Sequence, residues 1–115
     1  MTRPDDHSQC ASTMQGLRNA LLVVHGKWKL QILVALQSGT RHFRGLERTV
    51  PGISTKVLAK ELKDLEAHKL IARTVHPGPP VLVEYESTDY CKTFGPLILT
   101  MIKWGIEHRE RIKQR

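Results

Sequence analysis

The feature that most narrows what this chain can fold into is the dipeptide Pro51-Gly52, set between two stretches of helical periodicity. Before it, Phe43, Leu46 and Val50 repeat at i, i+3 and i+7 and predict a short helix over about 41–50. Pro-Gly does not continue a helix and marks a tight turn. After it, Ser54 stands where an N-cap belongs, its hydroxyl able to accept from a free amide of the next turn. Val57, Leu58, Glu61, Leu62 and Leu65 then form one stripe of a helix over 55–67, and the opposite face carries Thr55, Lys56, Ala59, Lys60 and Lys63. Two helices, a three-residue turn, and a second helix that is basic and hydroxylated at its start make a helix-turn-helix pattern.

The flanking segments extend that pattern. Ile71, Arg73 and Val75 alternate with Ala72, Thr74 and His76; after Pro77-Gly78-Pro79-Pro80, Val81, Val83 and Tyr85 alternate with Leu82, Glu84 and Glu86. Two period-two runs around a Gly/Pro turn predict a β-hairpin, and a hairpin in this position is a wing. Upstream, Leu17, Leu21, Leu22 and Val24 predict a first helix over 13–24 that His25-Gly26 ends. Trp28, Ile32, Leu33 and Leu36, with Leu30, Val34 and Ala35 on the other sides, predict a core helix over 27–37, closed by Ser38-Gly39. Downstream, Phe94, Leu97, Ile98, Met101, Ile102 and Gly105 predict a last helix to about Glu110, which Pro96 must either start or kink. The expected organisation is a mobile arm over residues 1–12, one domain over 13–110 and a basic tail over 111–115. The expected fold class is α+β, mainly helical: a winged helix-turn-helix with a two-stranded wing and additional N- and C-terminal helices.

Charge then narrows the partner. Across 115 residues, 18 Lys and Arg against 11 acids leave +7, which favours a polyanion. Within residues 38–76, eight basic residues stand against four acidic ones, the densest basic cluster inside the folded region. The longest apolar run, Ile32 to Leu36, is far short of the ~20 residues that cross a bilayer. With no apolar leader at the N-terminus, a cytoplasmic location is expected. Cys10 and Cys91 fit neither a disulfide framework nor a zinc site, and the six histidines show no metal-ligand spacing. Cys91, in an apolar segment, reads as an inert buried thiol, and Trp28 and Trp104 read as core or interface anchors. No nucleophile motif, phosphate-cradling loop or carboxylate pair is recognisable, so neither enzyme activity nor a cofactor is expected.

The string Gly26-Lys27-Trp28-Lys29, then Ile32-Leu33, Phe43, Leu46 and Pro51-Gly52-Ile53-Ser54, resembles the HxlR-type winged helix-turn-helix regulators. So do Lys56-Val57-Leu58, Leu62, Leu65-Glu66, Leu70-Ile71 with Arg73, Pro79-Pro80, Val83-Glu84-Tyr85, Thr88 and Trp104-Gly105, over residues 15–108. The resemblance implies a small bacterial, MarR-like transcription factor that binds DNA as a homodimer joined through its first and last helices. Four positions depart from the family pattern. Gln15 stands where a cysteine is frequent, with Cys10 five residues earlier; Gly45 replaces an acid; Lys69 and Cys91 stand where glycines are usual.

The residues assigned to duplex DNA divide by position. Ser54, Thr55 and Lys56 lie in the first turn of the second helix, the part that reaches base edges. Arg44, Lys60, Lys63, and Arg73 with His76 on the wing, are placed for the phosphate backbone. The expected function is sequence-specific transcriptional regulation, as a repressor on an inverted-repeat operator. A small-molecule or redox effector would be an added property of that reading. Its rival is a winged-helix module that docks another protein, which would need apolar or mixed-charge residues where Lys56, Lys60 and Lys63 stand.

Overall fold

The computed structural model describes residues 7–114, with side chains from Gln9 onward. The chain runs α1 (His7–Val24), α2 (Lys29–Gln37), α3 (Phe43–Thr49), α4 (Thr55–Ala67), β1 (Ile71–His76), β2 (Leu82–Ser87), α5 (Asp89–Lys92) and α6 (Gly95–Lys113). This is a mainly helical α+β fold with a two-stranded antiparallel sheet, the winged helix-turn-helix architecture.

The core is built from one face of each central helix. Ile32, Leu33, Ala35 and Leu36 of α2 meet Leu46 of α3 and Leu58, Leu62 and Leu65 of α4, with Val50, Ile53, Leu70, Ile71, Cys91 and Ile98 closing the sides. α2 is apolar on most sides because neighbours lie on most of its sides. α4 has the opposite character, one buried stripe and one solvated face, as its spacing predicts. The turn between α3 and α4 also follows the sequence. Gly52 takes φ +81°, where a side chain is strained, and Ser54 caps α4 by accepting from the Val57 amide at 3.2 Å.

Two departures from the family pattern have local consequences. A Cβ on Gly45 would lie 2.9 Å from Thr40 Cγ2, so any side chain at this turn of α3 requires the Thr40 methyl group to shift. Lys69 takes φ 62°, the left-handed conformation that ends α4. The Lys69 amide donates to the Glu66 carbonyl, and the Leu70 amide reaches back to Leu65 at 3.0 Å. A glycine would adopt that conformation without the steric cost a lysine meets.

Boundaries differ from expectation at both ends. α1 begins at His7 and includes Cys10, so the arm expected over residues 1–12 is helical from residue 7; residues 1–6 lie outside the described region. α6 runs to Lys113, so most of the expected basic tail over 111–115 is helix. A short α5, capped by Thr88, precedes α6, and Pro96 sits at the start of α6 rather than kinking it. β2 pairs with β1 from Leu82 to Ser87, one residue later than the alternation suggests, with Arg73 opposite Tyr85 and His76 opposite Leu82.

Two tethers fix the wing. The Tyr85 amide donates to the Arg41 carbonyl at 2.8 Å, just ahead of α3, and His42 Nδ1 lies 3.2 Å from the Val83 carbonyl. At the other end of the hairpin, Thr88 Oγ1 donates to the Lys69 carbonyl at 2.7 Å. The hairpin is thereby tied to both ends of the helix-turn-helix.

Candidate nucleic-acid interface

Five of the assigned residues, Ser54, Thr55, Lys56, Lys60 and Lys63, lie on or at the start of the solvated face of α4. Ser54 uses its oxygen as the cap. Lys56, Lys60 and Lys63 are exposed, and among the described residues neither Lys56 nor Lys63 has an ion-pair partner. Lys60 reaches towards Asp64 at 3.9 Å, yet its side chain remains 73% exposed, so its charge stays available to solvent. The free amides at the start of α4 add partial positive charge at the same end. Arg44 projects, exposed, from α3.

Arg73 comes close to this face. With Lys63, Phe43, Ala59, Leu62, Glu66 and Tyr85 it lines a hollow of about 370 Å³ between α4 and the hairpin. Two cations against the single carboxylate of Glu66 leave the concavity with a net positive charge, which suits an anionic backbone passing over it. His76 departs from the expected grouping. In a strand, residues three apart lie on opposite faces, so His76 does not share the face of Arg73. Its Nε2 lies 2.9 Å from Glu84, which also has Arg41 Nη1 at 3.9 Å.

Thr55 is also engaged more closely than its position suggests. Its hydroxyl donates to Glu47 Oε2 at 2.5 Å, linking the first residue of α4 to α3 across the Pro51-Gly52 turn. Spacing alone gives Glu47 no role. The available signal is an acid in the middle of a run of cations, Arg41, Arg44, Arg48 and Lys56.

A second feature that periodicity misses lies beneath the basic face. Lys29, on α2, is buried, and its ammonium donates to Glu61 at 2.6 Å and lies 3.4 Å from Asp64, both on α4. Glu61 therefore sits in the apolar stripe of α4 because it holds a buried counter-ion. Burial pulls the Lys29 pKa down, but the hydrogen bonds and charges of Glu61 and Asp64 outweigh it, and the net displacement is upward. The signal is a pair of opposite charges, each inside an otherwise apolar helix face. Since Asp64 also faces Lys60, the network joins the core-facing and solvent-facing sides of α4.

The two thiols are unlike each other. Cys10 is exposed on α1, whereas Cys91 is fully buried. Burial pushes the Cys91 thiol pKa up and favours the protonated thiol, against the opposing pull of a hydrogen bond with Ser87. Among the described residues no His/Cys/Asp/Glu group could hold a metal ion, and no helix is long and apolar enough to cross a membrane.

The chain resembles known regulators in sequence and in fold. It is 36% identical over 92 residues to the HTH-type transcriptional regulator YtcD of Bacillus subtilis (strain 168), covering 80% of this chain and 73% of that one. It superposes on the redox regulator HypR in its reduced form with a TM-score of 0.80 at 30% identity, covering 87% of this chain and 99% of that one. A MarR-family transcriptional regulator from Porphyromonas gingivalis W83 matches with a TM-score of 0.70 at 35% identity, over 79% of this chain and 89% of that one. YtcD and the Porphyromonas protein are named as transcriptional regulators and HypR as a redox regulator. Residues 23–113 match the family described as HxlR-like helix-turn-helix, and the chain belongs to that family of transcriptional regulators.

Proposed function

We propose that this regulator binds duplex DNA in a sequence-specific manner in the cytoplasm, as a homodimer on an inverted-repeat operator, and represses transcription from it. The observation that carries the reading is the face of α4, where Lys56, Lys60 and Lys63 are exposed on the helix that Ser54 caps. Thr55 and Lys56, in its first turn, are the base-facing positions. Lys60, Lys63, Arg44 and Arg73 are the phosphate-facing ones, with His76 at the far end of the wing.

The outer helices support the homodimer. α1 exposes Met14, Leu17, Leu21 and Leu22, and α6 exposes Leu97, Leu99, Met101, Ile102, Trp104 and Ile106. The chain presents 8961 Å² to solvent, against about 6,400 Å² for a compact monomer of this mass. The excess, about 2,500 Å², is of the order that each subunit of an obligate homodimer buries. Pairing α1 and α6 with a second copy covers this surface by a two-fold axis and presents two α4 helices for one palindromic site. Occlusion of a promoter is the simplest action of such a small two-helix reader. Likeness to a redox regulator raises the question of a redox effector, but Gln15 stands where the family's cysteine is frequent and Cys91 is buried, so no thiol sensor is assigned to this chain.

The test is binding of wild type and of a Lys56, Lys60, Lys63 triple alanine variant to duplexes selected from a random pool. Wild type should bind with log affinity falling steeply against log salt, by about 0.9 per neutralised phosphate. Equal binding by the triple variant at moderate salt would mean the lysines are only a solvated surface, and a protein-docking role would replace the reading.

A further inference from the structure

We propose that Glu47 and Thr55 act as a pair that sets base preference, Glu47 accepting a hydrogen bond from a base amino group in the major groove, that of cytosine above all. The proposal rests on α4 being the DNA-reading helix.

Thr55 is the first residue of α4, the end that a recognition helix presents to base edges. Its hydroxyl proton is committed to Glu47 Oε2 at 2.5 Å, so towards a ligand Thr55 offers an acceptor and a methyl group but no donor. Glu47 Oε1 has no partner among the described residues, and no cation of the face forms an ion pair with this carboxylate. The tip of the reading surface therefore carries two acceptors side by side, held together across the turn between α3 and α4.

An acceptor-only pair is selective within a groove. Phosphate oxygens repel it, so it adds nothing to the attraction that the lysines exert on any duplex. The guanine N7 and O6 and the thymine O4 are acceptors and repel it too. Cytosine N4 and adenine N6 are the major-groove donors. A carboxylate suits the cytosine amino group better because an acceptor, the O6 of the paired guanine, flanks it on one side only, whereas adenine N6 lies between N7 and the thymine O4. The pair thus combines attraction to one base with repulsion from others. It places the single acid of the reading tip where it lowers non-specific affinity and raises discrimination.

Two variants test this, each first checked for an unchanged melting temperature. Glu47→Gln keeps the shape and an acceptor for Thr55 while removing the charge and adding a donor. Thr55→Val keeps the shape and frees the carboxylate. Duplexes selected by wild type should carry cytosine at one fixed position of each half-site. Glu47→Gln should lose at least about fivefold of that preference and bind random duplex several-fold more tightly. Thr55→Val should weaken preference at the same base pair and leave other positions unchanged. If wild type selects a sequence and both variants select the same one with the same preference, the pair does not read bases and the proposal fails alone. If wild type selects nothing over random duplex, the DNA-reading assignment fails first and this one with it. A purely structural role for Glu47 would change melting temperature without changing which base is chosen.

Discussion

Replacing Lys29 by Met would test what holds α4 on its scaffold. Methionine keeps most of the length and apolar stem of lysine but removes the ammonium that bridges α2 to α4. The Lys29 side chain is 9% exposed and that of Glu61 is 12%, so the substitution strands a carboxylate with little access to water. Removing one partner of a buried ion pair costs about 3–5 kcal/mol, much of it the unpaired charge left behind. Asp64 is 42% exposed and rehydrates readily, and Glu61 keeps some solvent, so the expected loss is about 2–3 kcal/mol. For a domain of this size that corresponds to a melting temperature lower by roughly 10 °C. The Lys29→Met, Glu61→Leu double variant should recover most of the loss, because replacing both charges with apolar groups removes the stranded carboxylate. Thermal unfolding followed by circular dichroism reads both. A single variant within about 3 °C of wild type would refute the reasoning. So would a double variant no more stable than the single one.

The pH dependence of that difference has a definite sign. The folded state raises the Lys29 pKa, so the ammonium contributes fully below the unfolded lysine value of about 10.4 and its contribution disappears as pH rises through the higher folded value. The stability gap between wild type and Lys29→Met should stay level from about pH 7 to 9 and narrow only in stronger alkali.

Four further outcomes can be checked. Lys60→Ala and Lys63→Ala should each weaken binding to all duplexes alike and make the salt slope shallower by about one unit, measured by fluorescence anisotropy across a salt series. Lys69→Gly should raise stability by about 0.5–1 kcal/mol in denaturant titration, since glycine takes the φ of 62° without steric cost. Gly45→Ala should destabilise despite alanine's preference for helix, and adding Thr40→Ser, which removes the methyl group 2.9 Å from the new Cβ, should reverse the loss. Cys10→Ser should leave operator affinity unchanged with or without oxidant; oxidant that releases wild type but not this variant would make Cys10 the sensor.

Much of the fold is legible in the sequence because its signals are local. The Pro51-Gly52 turn, the Ser54 cap and the stripe of α4 each follow from residues within one or two helical turns, and α4 falls on residues 55–67 as the spacing predicts. The hairpin is legible for the same reason, apart from a one-residue shift of β2. The ends are less so. Polar residues 7–12 offer no apolar face, and helix there continues from the strong pattern of Leu17 and Leu21 rather than from any signal of its own. The short α5 depends on Thr88, which caps it while bonding to Lys69 nineteen positions away.

The candidate site is legible in its charges but not in its pairings. Lys56, Lys60 and Lys63 declare themselves by spacing, since a helix face repeats every three or four residues. The bonds that decide how those lysines are presented join residues with no periodic relation. Lys29 and Glu61 are 32 positions apart, and Glu47 and Thr55 meet only because the turn folds α3 against α4. Each of those acids is nevertheless anomalous in its setting, Glu61 within an apolar stripe and Glu47 within a basic run. A charge that breaks its local pattern must find its reason across the fold, because burying it or crowding it without a partner is costly. His76 illustrates the converse. Its parity in β1 puts it on the other face from Arg73, and counting the alternation along the strand is enough to separate the two. Hence, of the proposed phosphate contacts, Lys63 and Arg73, which line one hollow with Tyr85, should cost more affinity on replacement by Ala in a binding titration than His76, which lies beside Glu84.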